Sequence, residues 1–377
     1  MTDRRDGDWR GWAESAAAST RDWLAGLARS DGPGRYRWCG SGLTESGRRL
    51  ELGPSCLAAK VLVTVGAWDG LPAEDRGAWV RYLQTFQLDG PIGRVPAGMF
   101  RDPAMSGAGR KAGWRQPGRW WRQRWGARDR SPAYRVAVAE TKQAVATLAE
   151  LGAGPRWPLG GLPNTVGALR RRLAREDWSR PWAAGGQTAA LAALVTAEAE
   201  AEVDAEARAA GQAVLGETFD RLADPRTGAY FDGPTPPPHQ LINGAMKVLT
   251  GLAWLGRPIH HPRRLVDLCL DTAVRDEGCD LVDVVYVLHR CVGQEPHRLG
   301  EVRDRAAALL ARVRRHEHAG GGFSYQPGRA QTHYYGLEVS EGRDVADLHG
   351  SCLLLWAVAL ALDLRGQLPA GWRLIRP

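Results

Sequence analysis

Hydrophobic and polar residues follow one another along this chain in six repeats of a two-helix unit. In each unit, one segment has an apolar stripe at helical spacing and a charged opposite face, and another segment is apolar on nearly every side. The amphipathic segments are 11–29, 74–88, 163–176, 203–222, 263–275 and 299–317, and the apolar segments are 53–66, 135–151, 185–198, 242–256, 281–293 and 349–363. Because a helix that is apolar on all faces has to be buried, we predict six inner helices, each with an outer partner.

The apolar segments also begin alike. Gly53-Pro-Ser-Cys-Leu resembles His349-Gly-Ser-Cys-Leu, and Asn243-Gly-Ala-Met-Lys is a related opening. Such self-similarity indicates a repeat architecture, and runs that alternate as strands do are short and rare. We therefore predict an all-α protein, an (α/α)6 toroid of six helical hairpins in a single domain over residues 1–377, with an open helical solenoid as the alternative. In a toroid the N-termini of the inner helices would meet at one mouth, where their N–H groups and dipoles point.

The composition is that of an ordinary soluble protein. The 377 residues are 44% hydrophobic and 24% charged, and the net charge is +8. Part of this charge lies in a basic, tryptophan-rich insertion at about 101–132, which we interpret as a solvated insertion without specificity for nucleic acid. Peripheral contact with an anionic membrane remains an alternative for it.

The cellular location is expected to be cytoplasmic. The six cysteines form no CxxC pair, and four of them lie in apolar helical segments, as reduced and buried thiols do. The charged N-terminus has no signal-peptide core, and no apolar run is long enough to predict a transmembrane helix.

The lysines have an unusual distribution. Only four are present, and Lys60, Lys142 and Lys247 all lie within apolar helical segments. Lysine is seldom buried without a partner, because removing an ammonium group from water is costly. These three residues therefore predict a polar cavity among the inner helices, although lysines at helix edges can also extend to water.

Candidate catalytic residues lie near the starts of predicted inner helices. Asp280 and Asp283 are three residues apart and so share one helix face, and His349 begins the last inner helix. Convergent carboxylates and a histidine are what acid–base catalysis needs. Asp280 is open to a second interpretation as a helix cap, and His349 as a core histidine. The predicted catalytic residues are Asp283, His349, Asp280 and Glu140, and the predicted substrate-binding residues are Lys60, Lys247, Asn243, Gln187, Trp182, Tyr286, His333 and Tyr335.

A metal site is a weaker interpretation of the same region. Cys279 and Asp283 are four residues apart on one helix face, and His349 would approach from the next inner helix. These are residue types that bind zinc, but no paired-ligand motif is present. We expect no cofactor, with zinc or magnesium left as alternatives.

Two short stretches resemble the superfamily of terpenoid cyclases and protein prenyltransferases, which are α/α toroids. Residues 281–286, LVDVVY, are similar to a prenyltransferase β-subunit stretch that supplies an aspartate and a cysteine to zinc. Residues 346–352, ADLHGSC, are similar to the later stretch that supplies the zinc histidine. The resemblance implies the toroid fold over most of the chain, with Asp283 and His349 as ligands.

The same stretches depart from the family pattern. Val285 stands where the resemblance implies the cysteine ligand. Val282 stands where the DxDD motif of squalene-type cyclases has its protonating aspartate, between Asp280 and Asp283. The resemblance implies an enzyme that acts in a central cavity on an isoprenoid-type or other elongated, small or lipid-like substrate. A carbohydrate-active toroid enzyme (a lyase, epimerase or hydrolase) and a non-catalytic toroid binding protein are the alternatives.

Overall fold

The protein is mostly helical, which confirms the all-α class. A computed structural model describes residues 8–107, 131–197 and 205–376. Its α-helices are α1 (Trp9–Leu27), α2 (Glu45–Arg49), α3 (Leu52–Thr64), α4 (Ala73–Gln84), α5 (Pro132–Glu150), α6 (Val166–Leu173), α7 (Pro181–Ala197), α8 (Ala205–Leu222), α9 (Pro238–Trp254), α10 (Pro262–Asp271), α11 (Gly278–Gln294), α12 (Leu299–Val313) and α13 (Leu348–Leu364). Strands β1 (His333–Tyr334) and β2 (Leu337–Glu338) form an antiparallel hairpin.

All twelve helices expected from the hydrophobic pattern are present, and their ends lie within four residues of the expected positions. Helix α2 and the β1–β2 hairpin were not expected, because they are too short to produce a periodic pattern. Most of the predicted basic insertion at 101–132, namely residues 108–130, lies outside the described residues.

The nearly all-apolar helices contact one another in a circular order. Helix α3 packs against α5, α5 against α7, α7 against α9, α9 against α11, and α11 against α13, while α13 also packs against α3. The amphipathic helices lie against these six: α4 contacts α3 and α5, α8 contacts α7, α10 contacts α11, and α12 contacts α11 and α13. Every residue of α3 is buried, as expected for a helix with apolar residues on all sides.

Buried aspartates fix the starts of two inner helices. Oδ2 of Asp102 accepts hydrogen bonds of 2.7 Å from the backbone N–H groups of Glu51 and Leu52, where α3 begins. Asp347 accepts from the N–H of Gly350 at 2.8 Å and so caps α13. Its other oxygen accepts from Tyr325 at 2.9 Å, which ties the preceding loop to the helix. These bonds satisfy N–H groups that a helix start leaves without partners.

Candidate functional site

An open cavity of about 640 Å³ lies where three inner helices begin. Its wall comes from the first turns of α7, α9 and α11, together with the segments before α7 and α11 and one residue of the loop before β1. The lining residues are Ser179, Arg180, Trp182, Ala183, His239, Gln240, Asn243, Arg275, Glu277, Cys279, Asp280 and Tyr325. We call this space the mouth.

A second cavity, of about 360 Å³, adjoins the mouth and is called the inner cavity below. Trp182 and Ala183 line both spaces. The inner cavity lies among α5, α7 and α9, with one residue from the hairpin. Its lining residues are Arg135, Val136, Ala139, Lys142, Trp182, Ala183, Gly186, Gln187, Ala189, Ala190, Met246, Lys247, Thr250 and Tyr335.

The three lysines of the apolar helices lie in different places relative to the cavities. Lys142 of α5 and Lys247 of α9 line the inner cavity, whereas Lys60 of α3 is only 5% exposed and lines neither cavity. In the described part of the chain, none of the three has an ion-pair or hydrogen-bond partner. Burial lowers the pKa of Lys60, and it lowers that of Lys142 well below its usual value. The positive charges of Lys60 and Lys247 lower the pKa of Lys142 further, because like charges disfavour protonation.

Asp283 is a carboxyl group without a partner inside an apolar helix. It lies in the second turn of α11 and is 1% exposed. Neither of its carboxylate oxygens has a hydrogen-bond partner within the described residues. Burial raises the pKa of Asp283 to about 7, against the attraction of Lys247, which lowers it. This carboxyl group can therefore hold or release a proton near neutral pH. It is not among the residues that line the mouth or the inner cavity.

His349 lies at the start of α13 among aromatic rings. Tyr325 stacks on it with ring centroids 5.5 Å apart and an angle of 7°, and Trp38 and Tyr334 lie 6.1 and 6.0 Å away. Its Nδ1 is buried without a partner in the described ranges, so it makes no hydrogen bond to Asp283 there. Burial, and then the charge of Lys247, lowers its pKa to about 4, which keeps the imidazole neutral at physiological pH.

Asp280 differs from Asp283 in having charged and polar partners. Its carboxylate forms an ion pair with Arg275 and accepts a hydrogen bond of 2.9 Å from Nδ2 of Asn243. The hydrogen bond from Asn243 links the start of α11 to α9 at the wall of the mouth. Asp280 is thus placed to hold the mouth together, and Asn243 is placed both to support it and to face a ligand.

Glu140 is buried on α5 beside a different set of groups. Its Oε1 accepts a hydrogen bond of 3.2 Å from the backbone N–H of Asp102, and its carboxylate lies 3.9 Å from Arg101. Burial outweighs the attraction of Arg101 and raises the pKa of Glu140 to about 8. Glu140 therefore supports the loop that caps α3, and it is not among the residues that line either cavity.

The β1–β2 hairpin places Tyr335 at the inner cavity. Tyr335 has a positive φ of 46°, and Gly336, which follows it, has a φ of 83°. A bulky residue seldom adopts this conformation, and strained residues are concentrated at functional sites. The ring of Tyr335 packs on Tyr334 at 4.4 Å and is 39% exposed. The hairpin thus holds an aromatic ring at the edge of the cavity.

The other predicted binding residues fall in several places. Trp182 is 51% exposed and borders both cavities. Gln187 lines the inner cavity and donates to the backbone carbonyl of Arg135 at 3.3 Å. Tyr286 is buried against Trp356, and His333 is exposed on β1 with Nδ1 3.0 Å from Thr332 Oγ1. Neither Tyr286 nor His333 lines the mouth or the inner cavity.

Several site residues were missed from the sequence. Arg275, Glu277 and Tyr325 line the mouth, and Trp38 and Tyr334 surround His349. They lie in connecting segments or at their edges, where no periodic pattern assigns a position. Arg275 could have been found only from its position in the sequence, because it lies five residues before Asp280 at the end of a polar connection.

The described residues do not form the implied zinc site. Within 8–107, 131–197 and 205–376, no three His, Cys, Asp or Glu side chains are grouped so that they could hold a metal ion. Cys279, Asp283 and His349 therefore do not form such a group, and Val285 supplies no ligand. In the same ranges, no helix combines the length and hydropathy that crossing a membrane requires.

Comparison with known proteins adds no relative. No protein-family model matches the chain, and none of the curated proteins matches it. The resemblance to terpenoid cyclases and prenyltransferases stays a prediction from the sequence.

Proposed function

We propose that the chain is a single-domain (α/α)6 toroid enzyme that acts on an elongated small molecule in its central cavity. The circular order of contacts from α3 to α13 and back to α3 supports the toroid. The mouth at the starts of α7, α9 and α11 supports a parallel inner ring, with the substrate entering at its N-terminal end.

Asp283 is the observation that carries the proposal. Helix α11 is apolar around it, and a carboxyl group there without a hydrogen-bond partner in the described chain reduces stability. Proteins keep such groups where their chemistry is used, and a pKa of about 7 suits proton transfer at neutral pH. Asp283 is proposed as the acid, and neutral His349 as its partner in positioning or accepting a proton.

The inner cavity suggests a substrate with an apolar body and a polar or anionic end. Ala183, Gly186, Ala189 and Ala190 of α7 form a smooth apolar wall, and Lys142 and Lys247 project from the neighbouring helices. An isoprenoid-type molecule combines these properties, in agreement with the resemblance of 281–286 and 346–352. Lys247 is proposed to bind its anionic end, and Lys60, which lines neither cavity, adds positive charge near Lys142.

A carbohydrate-active enzyme is the second candidate, because of the chemistry of the mouth. Trp182 presents an exposed ring beside His239, Gln240 and Asn243. Aromatic rings that stack on sugars beside hydrogen-bonding groups are the usual arrangement of a sugar site. Asp280 and Asp283 would then supply the two carboxyl groups.

Substrate panels with an Asp283 variant test the proposal. The protein is incubated with farnesyl diphosphate, geranylgeranyl diphosphate, squalene and uronic-acid oligosaccharides, and products are detected by mass spectrometry. For the accepted substrate, Asp283→Asn should lower kcat by about 100-fold or more, the usual contribution of a general acid. Asp363→Asn is the matched control, because that carboxylate is partly exposed and bonds to His289.

Full activity of Asp283→Asn would contradict the assigned role. Binding of a panel member without turnover would identify the third alternative, a binding protein. Turnover of the oligosaccharides alone would replace the leading candidate with the carbohydrate-active one.

A further inference from the structure

The choice of lysine at the inner cavity is informative because this chain otherwise uses arginine. Only four of its 50 basic residues are lysines, and three of the four are Lys60, Lys142 and Lys247. Arginine is the better residue for holding an anion through two hydrogen bonds, and it stays protonated. Lysine differs in that a buried amine can lose its proton and react. The composition therefore points to amine chemistry here, beyond anion binding.

Lys142 has the surroundings of a reactive amine. Lys142 and Lys247 of α9 both line the inner cavity, and Lys60 acts on Lys142 electrostatically from α3, which packs against α5. Helix α7 contributes alanines, glycine and Gln187 on its side of the cavity, without a charged residue. Arg135, on the same helix as Lys142, forms an ion pair with Glu176, whose carboxylate lies 3.1 Å away. No carboxylate in the described chain pairs with Lys142.

Two positive neighbours and an apolar wall make the neutral amine the favoured form. Three ammonium groups near one another inside a protein repel strongly, because the interior screens charge poorly. Deprotonating Lys142 removes this repulsion and leaves the charges of Lys60 and Lys247. A lysine beside another cation in an apolar site is one of the established arrangements of an activated nucleophile.

We propose that Lys142 forms an imine with an aldehyde or ketone that carries an anionic group, held by Lys247. The Lys142 nitrogen forms a bond to the carbonyl carbon. The carbonyl oxygen then leaves as water with the two amine protons, so that a C=N bond replaces C=O. The imine, once protonated, withdraws electrons from the neighbouring carbon. This inference rests on the proposed function in that the same cavity receives the substrate, and it applies to those substrates that carry a carbonyl group.

Reductive trapping tests this directly. The protein is incubated at pH 7 with sodium cyanoborohydride and either pyruvate, which is an anionic ketone, or acetone, which is neutral. Cyanoborohydride reduces an imine to a stable secondary amine, and peptide mass mapping locates it. Lys142 should react at least about tenfold faster in the folded protein than in the same protein unfolded by guanidinium chloride. The reason is that the lowered pKa of Lys142 leaves more of its amine unprotonated at pH 7 in the folded protein. Pyruvate should react faster than acetone.

Variants separate reactivity from folding. Lys142→Arg should abolish the trapped product at the inner cavity while circular dichroism and the melting temperature show a folded protein. Lys60→Met removes one positive neighbour, so it should slow trapping at Lys142 at pH 7. If Lys142→Arg does not fold, the unchanged protein still tests the proposal, because the rate of trapping at Lys142 can be compared between its folded and unfolded states.

Two results would overturn the proposal. One is that Lys142 reacts no faster in the folded protein than in the unfolded protein. The other combines two observations. Neither ketone is trapped, and in an NMR titration of ¹³C-methylated lysines inorganic phosphate shifts the signals of Lys60, Lys142 and Lys247. Together they would define a site that only binds anions. Asp283→Asn protein should still be trapped at Lys142, so failure here and failure of the acid assigned to Asp283 can be distinguished.

Discussion

Two aspartates one helical turn apart on α11 have opposite environments, and this difference assigns their roles. Asp280 is held by Arg275 and Asn243, whereas Asp283 has neither a hydrogen bond nor an ion pair within the described residues. The sequence could predict that they share a face, because three residues make nearly one turn. It could not predict which one is paired, because Arg275 and Asn243 come from another segment and another helix.

The pH dependence of stability should reveal the buried carboxyl of Asp283. Its pKa is about 7 in the folded protein and about 3.9 in an unfolded chain. Between these values the folded state binds more protons than the unfolded state, so stability falls as pH rises, by up to about 1.4 kcal/mol per unit. Asp283→Asn cannot ionise. It should therefore be more stable than the unchanged protein at pH 8, on the order of 4 kcal/mol, with little difference at pH 4.

Urea unfolding of both proteins at pH 4 and pH 8 measures this difference. Some slope should remain in the variant, because Glu140 has a pKa raised to about 8 and contributes with the same sign. A variant that is less stable at pH 8 would mean that the ionised carboxylate of Asp283 is stabilised in the folded protein. Asp304→Asn, at an exposed carboxylate on α12 without an ion pair in the described chain, should leave the slope unchanged.

At the scale of secondary structure, the helices were predictable and the hairpin was not. Six apolar and six amphipathic segments each extend over several turns, so their periodicity is strong. The β1–β2 hairpin has two residues in each strand and a two-residue turn at Tyr335 and Gly336. Such a turn needs positive φ at both positions and usually has Asn-Gly, so Tyr335 gave no turn signal. Its conformation is imposed by the surrounding loop.

Replacing Tyr335 by asparagine should separate the strain from the function of the hairpin. Asparagine adopts positive φ more readily, so Tyr335→Asn should keep or raise the melting temperature, with relief of about 1 kcal/mol of strain. The same change removes the ring from the inner cavity, and water should take its place near Lys142. The pKa of Lys142, followed by NMR of ¹³C-methylated lysines, should then rise toward its ordinary value. An unchanged pKa would show that the ring does not shield the cavity.

At the scale of the whole molecule, the hydrophobic pattern predicts the inner helices but not whether they form a closed ring. Alternation of apolar and amphipathic helices is compatible with a closed ring and with an open solenoid. The contact of α13 with α3, between segments far apart in the chain, is the observation that supports the proposed closed ring. No local pattern encodes such a contact. Similarly, the sequence predicts a polar cavity beside the lysines, but it cannot predict which of them line one. Lys142 and Lys247 line the inner cavity, and Lys60 does not.

Small-angle X-ray scattering tests closure. A closed, compact toroid of 377 residues should have a radius of gyration of about 21 Å, the value for a compact chain of this length. An open solenoid of the same helices would be elongated, and its radius of gyration would be clearly larger.

Truncation before α13 tests closure in a second way. In a closed ring α13 covers an apolar side of α3, so a chain ending at residue 347 should expose that side and aggregate. If the truncated chain stays monomeric and folded, α13 is dispensable for the core, and the circular order of contacts is not what stabilises the protein.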